Sequence, residues 1–207
     1  MEALAVFENQ VIPYSALSAI LDSYARPNDK INRLTKQGKL IALKRGLYAL
    51  SDQHSPPKEL IANHLFGPSY VSRQWALSYY GLLSERVVEV TSMCIGRSRQ
   101  FENELGRFSY HAIPAHYYSL EQTSIQQGNS AFLMATPEKA LCDLLLSIRH
   151  LRLQSTSAVL SYLSDDLRLN EAELAKLDTR AIRSFAQAGY KVALLNTLAD
   201  ALEVLHD

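Results

Sequence analysis

The sequence predicts an α+β chain in two parts. A small basic N-terminal domain (residues 1–51) precedes a mixed α/β body (56–207) that ends in a helical tail. Two helix-period apolar stripes, Leu17, Ile20, Leu21 and then Ile31, Leu34, lead into two short apolar runs, 40–43 and 47–50, joined by Lys44-Arg45-Gly46. A polar stretch, 51–55, then meets Pro56-Pro57, which neither a strand nor a helix interior accepts. The sign of charge also changes across that stretch. Residues 1–50 hold 7 basic and 4 acidic side chains out of 21 and 21 in the chain, so the body carries the acidic excess.

The N-terminal elements follow from these residues. Glu2 to Phe7 reads as a short supporting helix, and Val11-Ile12 as a small strand or a staple for the next helix. The second long helix spans about 28–37. Pro27 suits its first turn, where a missing N–H costs nothing, and Gly38 suits the left-handed position beyond its end. A hairpin around Gly46 closes the domain. Helix, turn, helix and two-stranded wing in this order define a winged helix-turn-helix.

Charge suggests a task for that domain. Between Ser23 and Gly46, Arg26, Lys30, Arg33, Lys36, Lys39, Lys44 and Arg45 stand against the single acid Asp29. A merely solvated face mixes both signs. With Ile31 and Leu34 turned inward, Arg26, Asn28, Lys30, Asn32, Arg33 and Lys36 form an outer face. These side-chain types reach phosphate oxygens and purine edges in a major groove. Lys44 and Arg45 at the wing tip would touch the neighbouring backbone.

In the body, a helix over 58–65 is followed by Tyr70-Val71 and by Ser72, an expected N-cap for a helix over 73–80 that Gly81 ends. The strands fall roughly within 87–135. Residues 87–95 are β-branched enough for a central strand, and 108–113 reads as its antiparallel partner across a basic loop, 96–100. Residues 131–135 form a further buried strand. Thr136-Pro137-Glu138 starts the sharpest helix of the chain, with Lys139 paired to Asp143 one turn on. From 155 the tail reads as helices at roughly 156–164, 170–177, 179–188 and 190–205. Leu195, Leu198, Leu202 and Leu205 suit core packing or, less readily, a dimer seam.

Several classes fall away. No signal peptide or membrane-length apolar run is present, so a cytoplasmic chain is expected. Cys94 and Cys142 are too few for a disulfide framework or a four-cysteine zinc site. No phosphate loop or nucleophile elbow occurs, and His111 and His116 lack a third metal ligand nearby. No catalytic residue, metal or cofactor is therefore expected. The Tyr79-Tyr80 and Tyr117-Tyr118 pairs suit half-buried structural positions better than base stacking.

Three segments together resemble a known family. They are the wing Lys44-Arg45-Gly46-Leu47-Tyr48, the stretch Tyr70-Val71-Ser72-Arg73-Gln74-Trp75-Ala76-Leu77 with Tyr80-Gly81-Leu82, and Ala135-Thr136-Pro137-Glu138-Lys139-Ala140-Leu141-Cys142-Asp143. In order and spacing they are similar to the AbiEi family, the antitoxins of type IV abortive-infection toxin–antitoxin systems. The likeness covers about residues 1–150. It implies an N-terminal domain that binds inverted repeats at its own promoter in double-stranded DNA and represses the operon. It also implies a body that counteracts a nucleotidyltransferase-like toxin without forming a stable complex. The matched motifs mark Ser72, Arg73, Glu138 and Lys139 for the antitoxin part, as functional or fold-holding residues. The alternative is a winged-helix transcription factor whose body senses a small ligand or a partner protein, with no toxin.

Overall fold

The computed structural model describes residues 2–51 and 54–205; Asp52 and Gln53 of the expected linker lie outside the described residues. The fold is mixed α+β, with ten α-helices and two sheets among those residues. No helix among them is long and apolar enough to cross a membrane.

The N-terminal unit begins with a 3-10 helix, Glu2–Phe7, followed by β1 (Ile12–Pro13), α1 (Tyr14–Ile20), α2 (Pro27–Lys36), β2 (Leu40–Lys44) and β3 (Leu47–Leu50). Gly38, at φ +66°, lets its own N–H reach the Thr35 carbonyl and the Lys39 N–H reach the Leu34 carbonyl. That 5→2 and 6→1 pairing stops α2 in a Schellman turn. The strands form a sheet in the order β1-β3-β2, in which Leu40 opposes Leu50 and Lys44 opposes Leu47. Its two faces have different neighbours. Ile12, Leu40 and Leu50 pack with Leu17, Leu21, Ile31 and Leu34 in the unit's own core. Ile41, Leu43, Leu47 and Ala49 belong to the core of the body.

The body comprises α3 (Lys58–Leu65), β4 (Ser69–Val71), α4 (Arg73–Tyr79), β5 (Glu89–Cys94), β6 (Arg99–Asn103), β7 (Gly106–Ala112), α5 (Ala115–Tyr118), β8 (Gln122–Gln127) and β9 (Ser130–Ala135). Then come α6 (Pro137–Ser147), α7 (Thr156–Ser161) with a π-helical turn to Asp166, α8 (Glu171–Leu174), α9 (Thr179–Gln187) and α10 (Val192–Glu203). A six-stranded sheet runs β6-β7-β5-β4-β9-β8. On one face the Tyr110 hydroxyl donates to the Ala62 carbonyl of α3. On the other the Tyr70 hydroxyl meets α6 at Asp143. Leu195, Leu198 and Leu202 of α10 are fully buried, so they serve the core and not an exposed seam.

Two sequence expectations are corrected here. Strands β5 and β7 run parallel, Val90 beside Phe108, not antiparallel. The antiparallel partner of β7 is β6, whose Asn103 turns back to Gly106, so the last two residues of the expected basic loop, Arg99 and Gln100, begin an edge strand. A tight turn can join only antiparallel neighbours, and the tight turn in this region is the one at 104–105.

Candidate nucleic-acid interface and a buried motif cluster

The α2 face forms as its apolar spacing requires. Ile31 and Leu34 are buried, which leaves Asn28, Asn32, Arg33 and Lys36 exposed, while Lys30 is half-buried. The Lys30 ammonium lies 4.5 Å from the centre of the Tyr24 ring, a cation–π contact that steadies the head of a long side chain. The Tyr14 hydroxyl donates to Asn28 Oδ1 at 2.7 Å, holding the start of α2 against α1. Arg26 sits 3.7 Å from Asp29, with both side chains largely in solvent, so the pair leaves Arg26 available. A concavity of about 360 Å³ lies between the α1–α2 turn and α2, lined by Tyr24, Arg26, Asp29, Lys30 and Arg33.

The tip of the hairpin is divided. Arg45 is exposed. Lys44 turns to the body, and its ammonium donates to the carbonyls of Leu65 at 2.7 Å and His64 at 3.3 Å. Those carbonyls end α3, where the helix dipole is negative and C=O groups lack intrahelical partners. Asn103 Nδ2 donates to the Leu43 carbonyl, fastening the same strand to the β6–β7 hairpin. The structure thus groups Asn28, Lys30, Asn32, Arg33 and Lys36 on α2, with Arg26 at its N-cap, leaves Arg45 exposed on the hairpin and assigns Lys44 to a different contact.

Two of the three family-type segments meet inside the body. Lys139 and Asp143 are both fully buried. Lys139 Nζ donates to Asp143 Oδ1 at 2.6 Å and to the Tyr70 hydroxyl at 2.6 Å. Asp143 Oδ2 accepts from Ser72 Oγ at 2.6 Å and from Tyr70 at 2.9 Å. The ammonium also lies 3.9 Å from the centre of the Tyr117 ring. Burial raises the Asp143 carboxyl and lowers the Lys139 amine from their ordinary values, while the contacts between them pull each back. Burial likewise pushes the Tyr70 and Tyr117 hydroxyls up. Such a cluster joins β4 to α6 and excludes solvent.

The other motif residues lie around it. Ser72 stands at the start of α4 as expected, but its hydroxyl bonds Asp143 and makes no cap. Arg73 has φ +59°, in the left-handed region, and its buried Nε has no partner. Burial disfavours the Arg73 charge, whereas Asp143 and Glu89 favour it. Glu138 Oε1 accepts the Asp178 N–H at 3.1 Å, tying the start of α6 to α9. Tyr70, expected only as part of a family-type segment, and Tyr117, expected to be half-buried, are also members of the cluster, and Tyr117 is fully buried. A signal existed: residues 139–146 of α6 are all buried, and apart from Lys139 and Asp143 they are apolar all round. A helix of that kind places any charge in the interior.

Among the described residues, no three His, Cys, Asp or Glu side chains gather as a metal site. Cys94 and Cys142 are buried free thiols.

No family model and no curated protein matches the chain. Among solved structures it is similar to the RV2827C protein from Mycobacterium tuberculosis, with a TM-score of 0.55 and 16% identity. The alignment covers 99% of this chain and 79% of that one. At that identity the likeness shows a shared fold alone, a mixed α+β arrangement extending through both the N-terminal unit and the body.

Proposed function

We propose that the chain is a DNA-binding transcriptional autorepressor and the antitoxin of a type IV toxin–antitoxin system. On this reading the N-terminal unit is a winged helix-turn-helix, and α2 enters the major groove of promoter inverted repeats. The body counteracts a nucleotidyltransferase-like toxin in the cytoplasm, without a stable complex and without catalysis of its own. The observation that carries the DNA-binding part is the α2 face, where Asn28, Asn32, Arg33 and Lys36 stand exposed together above a buried Ile31 and Leu34. The antitoxin part rests on the family-type segments, whose residues Ser72, Lys139 and Asp143 meet in one cluster. That meeting supports the register of the resemblance, although a buried cluster holds a fold and contacts no partner.

Co-expression of the full chain with the adjacent open reading frame, scored by growth, tests the proposal. Rescue of a growth defect caused by that frame supports the antitoxin reading. A neighbour that is harmless alone favours the alternative, a transcription factor whose body senses a ligand.

A further inference from the structure

Among the described residues the two sheets end in four edge strands, β1, β2, β6 and β8, and three of them are guarded. β1 is two residues long and contains Pro13. β2 is fastened to the body, since Lys44 ends α3 and Asn103 donates to the Leu43 carbonyl. β6 carries Arg99 and Glu102, charges that oppose pairing with another chain. β8 has none of these features. Its six residues, QTSIQQ, hold no charge and no proline, and no bulge interrupts its pairing with β9. Ser124 and Gln126 are exposed.

The two-residue turn Gly128-Asn129 fixes which backbone groups of β8 are free. The pair that closes such a turn, Gln127 with Ser130, exchanges both its hydrogen bonds, and bonded pairs alternate along an antiparallel ladder. Thr123, Ile125 and Gln127 therefore bond to β9. The N–H and C=O groups of Gln122, Ser124 and Gln126 point outward, with no backbone partner among the described residues.

We infer that β8 is a docking edge for a second copy of this chain, paired antiparallel about a two-fold axis at Ser124. A two-fold axis normal to the sheet opposes residues an even number apart, so each face continues into the same face of the copy. With the axis at Ser124, Gln122 opposes Gln126 of the second copy and every outward group finds a partner. Between those pairs Thr123 opposes Ile125, two β-branched side chains at the closer, non-hydrogen-bonded positions. Ile125 is half-buried in the single chain, and the pairing covers it further. Amide meets amide, hydroxyl meets hydroxyl, and no like charges face each other. An axis at Ile125 would instead set Gln122 against Gly128 in the turn. The inference stands apart from the DNA-binding reading, since β8 belongs to the body.

Sedimentation of the full chain over a range of concentrations tests it. A monomer–dimer equilibrium is expected. Ser124→Lys and Ser124→Glu each lose the dimer, and mixing the two variants restores it. Gln100→Lys, on the opposite edge of the sheet, leaves the dimer intact. Ser124→Cys reports the register: mild oxidation links two copies, because bonded residues face each other at about 5.5 Å. Gln122→Cys does not link, since its counterpart lies about 14 Å away along the strand. Cys94 and Cys142 are buried and do not compete. The melting temperature of each variant confirms folding. A full chain that stays monomeric at high micromolar concentration, a Ser124→Lys protein that remains dimeric, or linkage by Gln122→Cys in preference to Ser124→Cys would each overturn the inference.

Discussion

Lys139 and Asp143 sit one helical turn apart on α6 and form an ion pair at 2.6 Å with neither side chain exposed. Ser72 and Tyr70, from the chain entering α4, complete the carboxylate's partners. Removing one member strands the other charge in the interior. Lys139→Met or Asp143→Asn should each cost about 3–5 kcal/mol in denaturant unfolding. The double replacement Lys139→Met with Asp143→Leu should recover most of that loss, because no unpaired charge remains. Ser72→Ala should cost about 1–3 kcal/mol alone and far less in the double background. Equal Ser72→Ala effects in both backgrounds would show that the hydroxyl acts elsewhere.

Stability should also report His111. Burial and the Arg73 charge hold its imidazole down to about 4, against an ordinary value of 6.5. Between those values the unfolded chain holds a proton that the folded chain lacks. The contribution to stability is therefore full above pH 6.5 and is lost as pH falls towards 4. His111→Gln should flatten that part of the stability curve relative to the unsubstituted chain. Parallel curves would place His111 in ordinary solvent.

The parts of the fold legible from sequence are those set by local chemistry. The α2 boundaries follow from Pro27 and Gly38, and α6 starts on Thr136, whose side chain accepts the Lys139 N–H. Strands β6 and β8 were not legible, because RQFEN and QTSIQQ are largely polar edge strands without a continuous apolar run. Parallel pairing of β5 with β7 depends on a hairpin folded outside it, which no periodicity encodes. Lys44 reads as a free wing cation until α3 is placed beside it. The Lys139–Asp143 spacing was legible as a helical pair, whereas its burial depends on α4, α9 and the sheet.

Lys44 should behave as a structural cation. Its ammonium ends α3 at the His64 and Leu65 carbonyls. Lys44→Met should lower stability by about 0.3–1 kcal/mol, the range for a cation at a helix C-terminus. The slope of log affinity against log salt on DNA should stay unchanged, since no phosphate contact is lost. A slope reduced by about one would return Lys44 to the nucleic-acid interface.

The N-terminal sheet should support the body. Ile41, Leu43, Leu47 and Ala49 lie in the body core, so a fragment beginning at Pro56 exposes the surface they cover. That fragment should melt below the full chain and bind a hydrophobic dye. Leu43→Ala in the full chain should cost about 2–5 kcal/mol, as a buried leucine does. A fragment as stable as the full chain would mean that the shared face contributes little.

On the proposed function, the exposed face of α2 reads DNA. The most direct measurement is the affinity of the full chain and of Arg33→Ala for the DNA upstream of its own gene and for a scrambled duplex, at two salt concentrations. Tight binding to the upstream sequence is expected, with a loss of about 1–3 kcal/mol there for Arg33→Ala and a reduced preference over the scrambled duplex. Unchanged affinity and preference in the Arg33→Ala protein would contradict it.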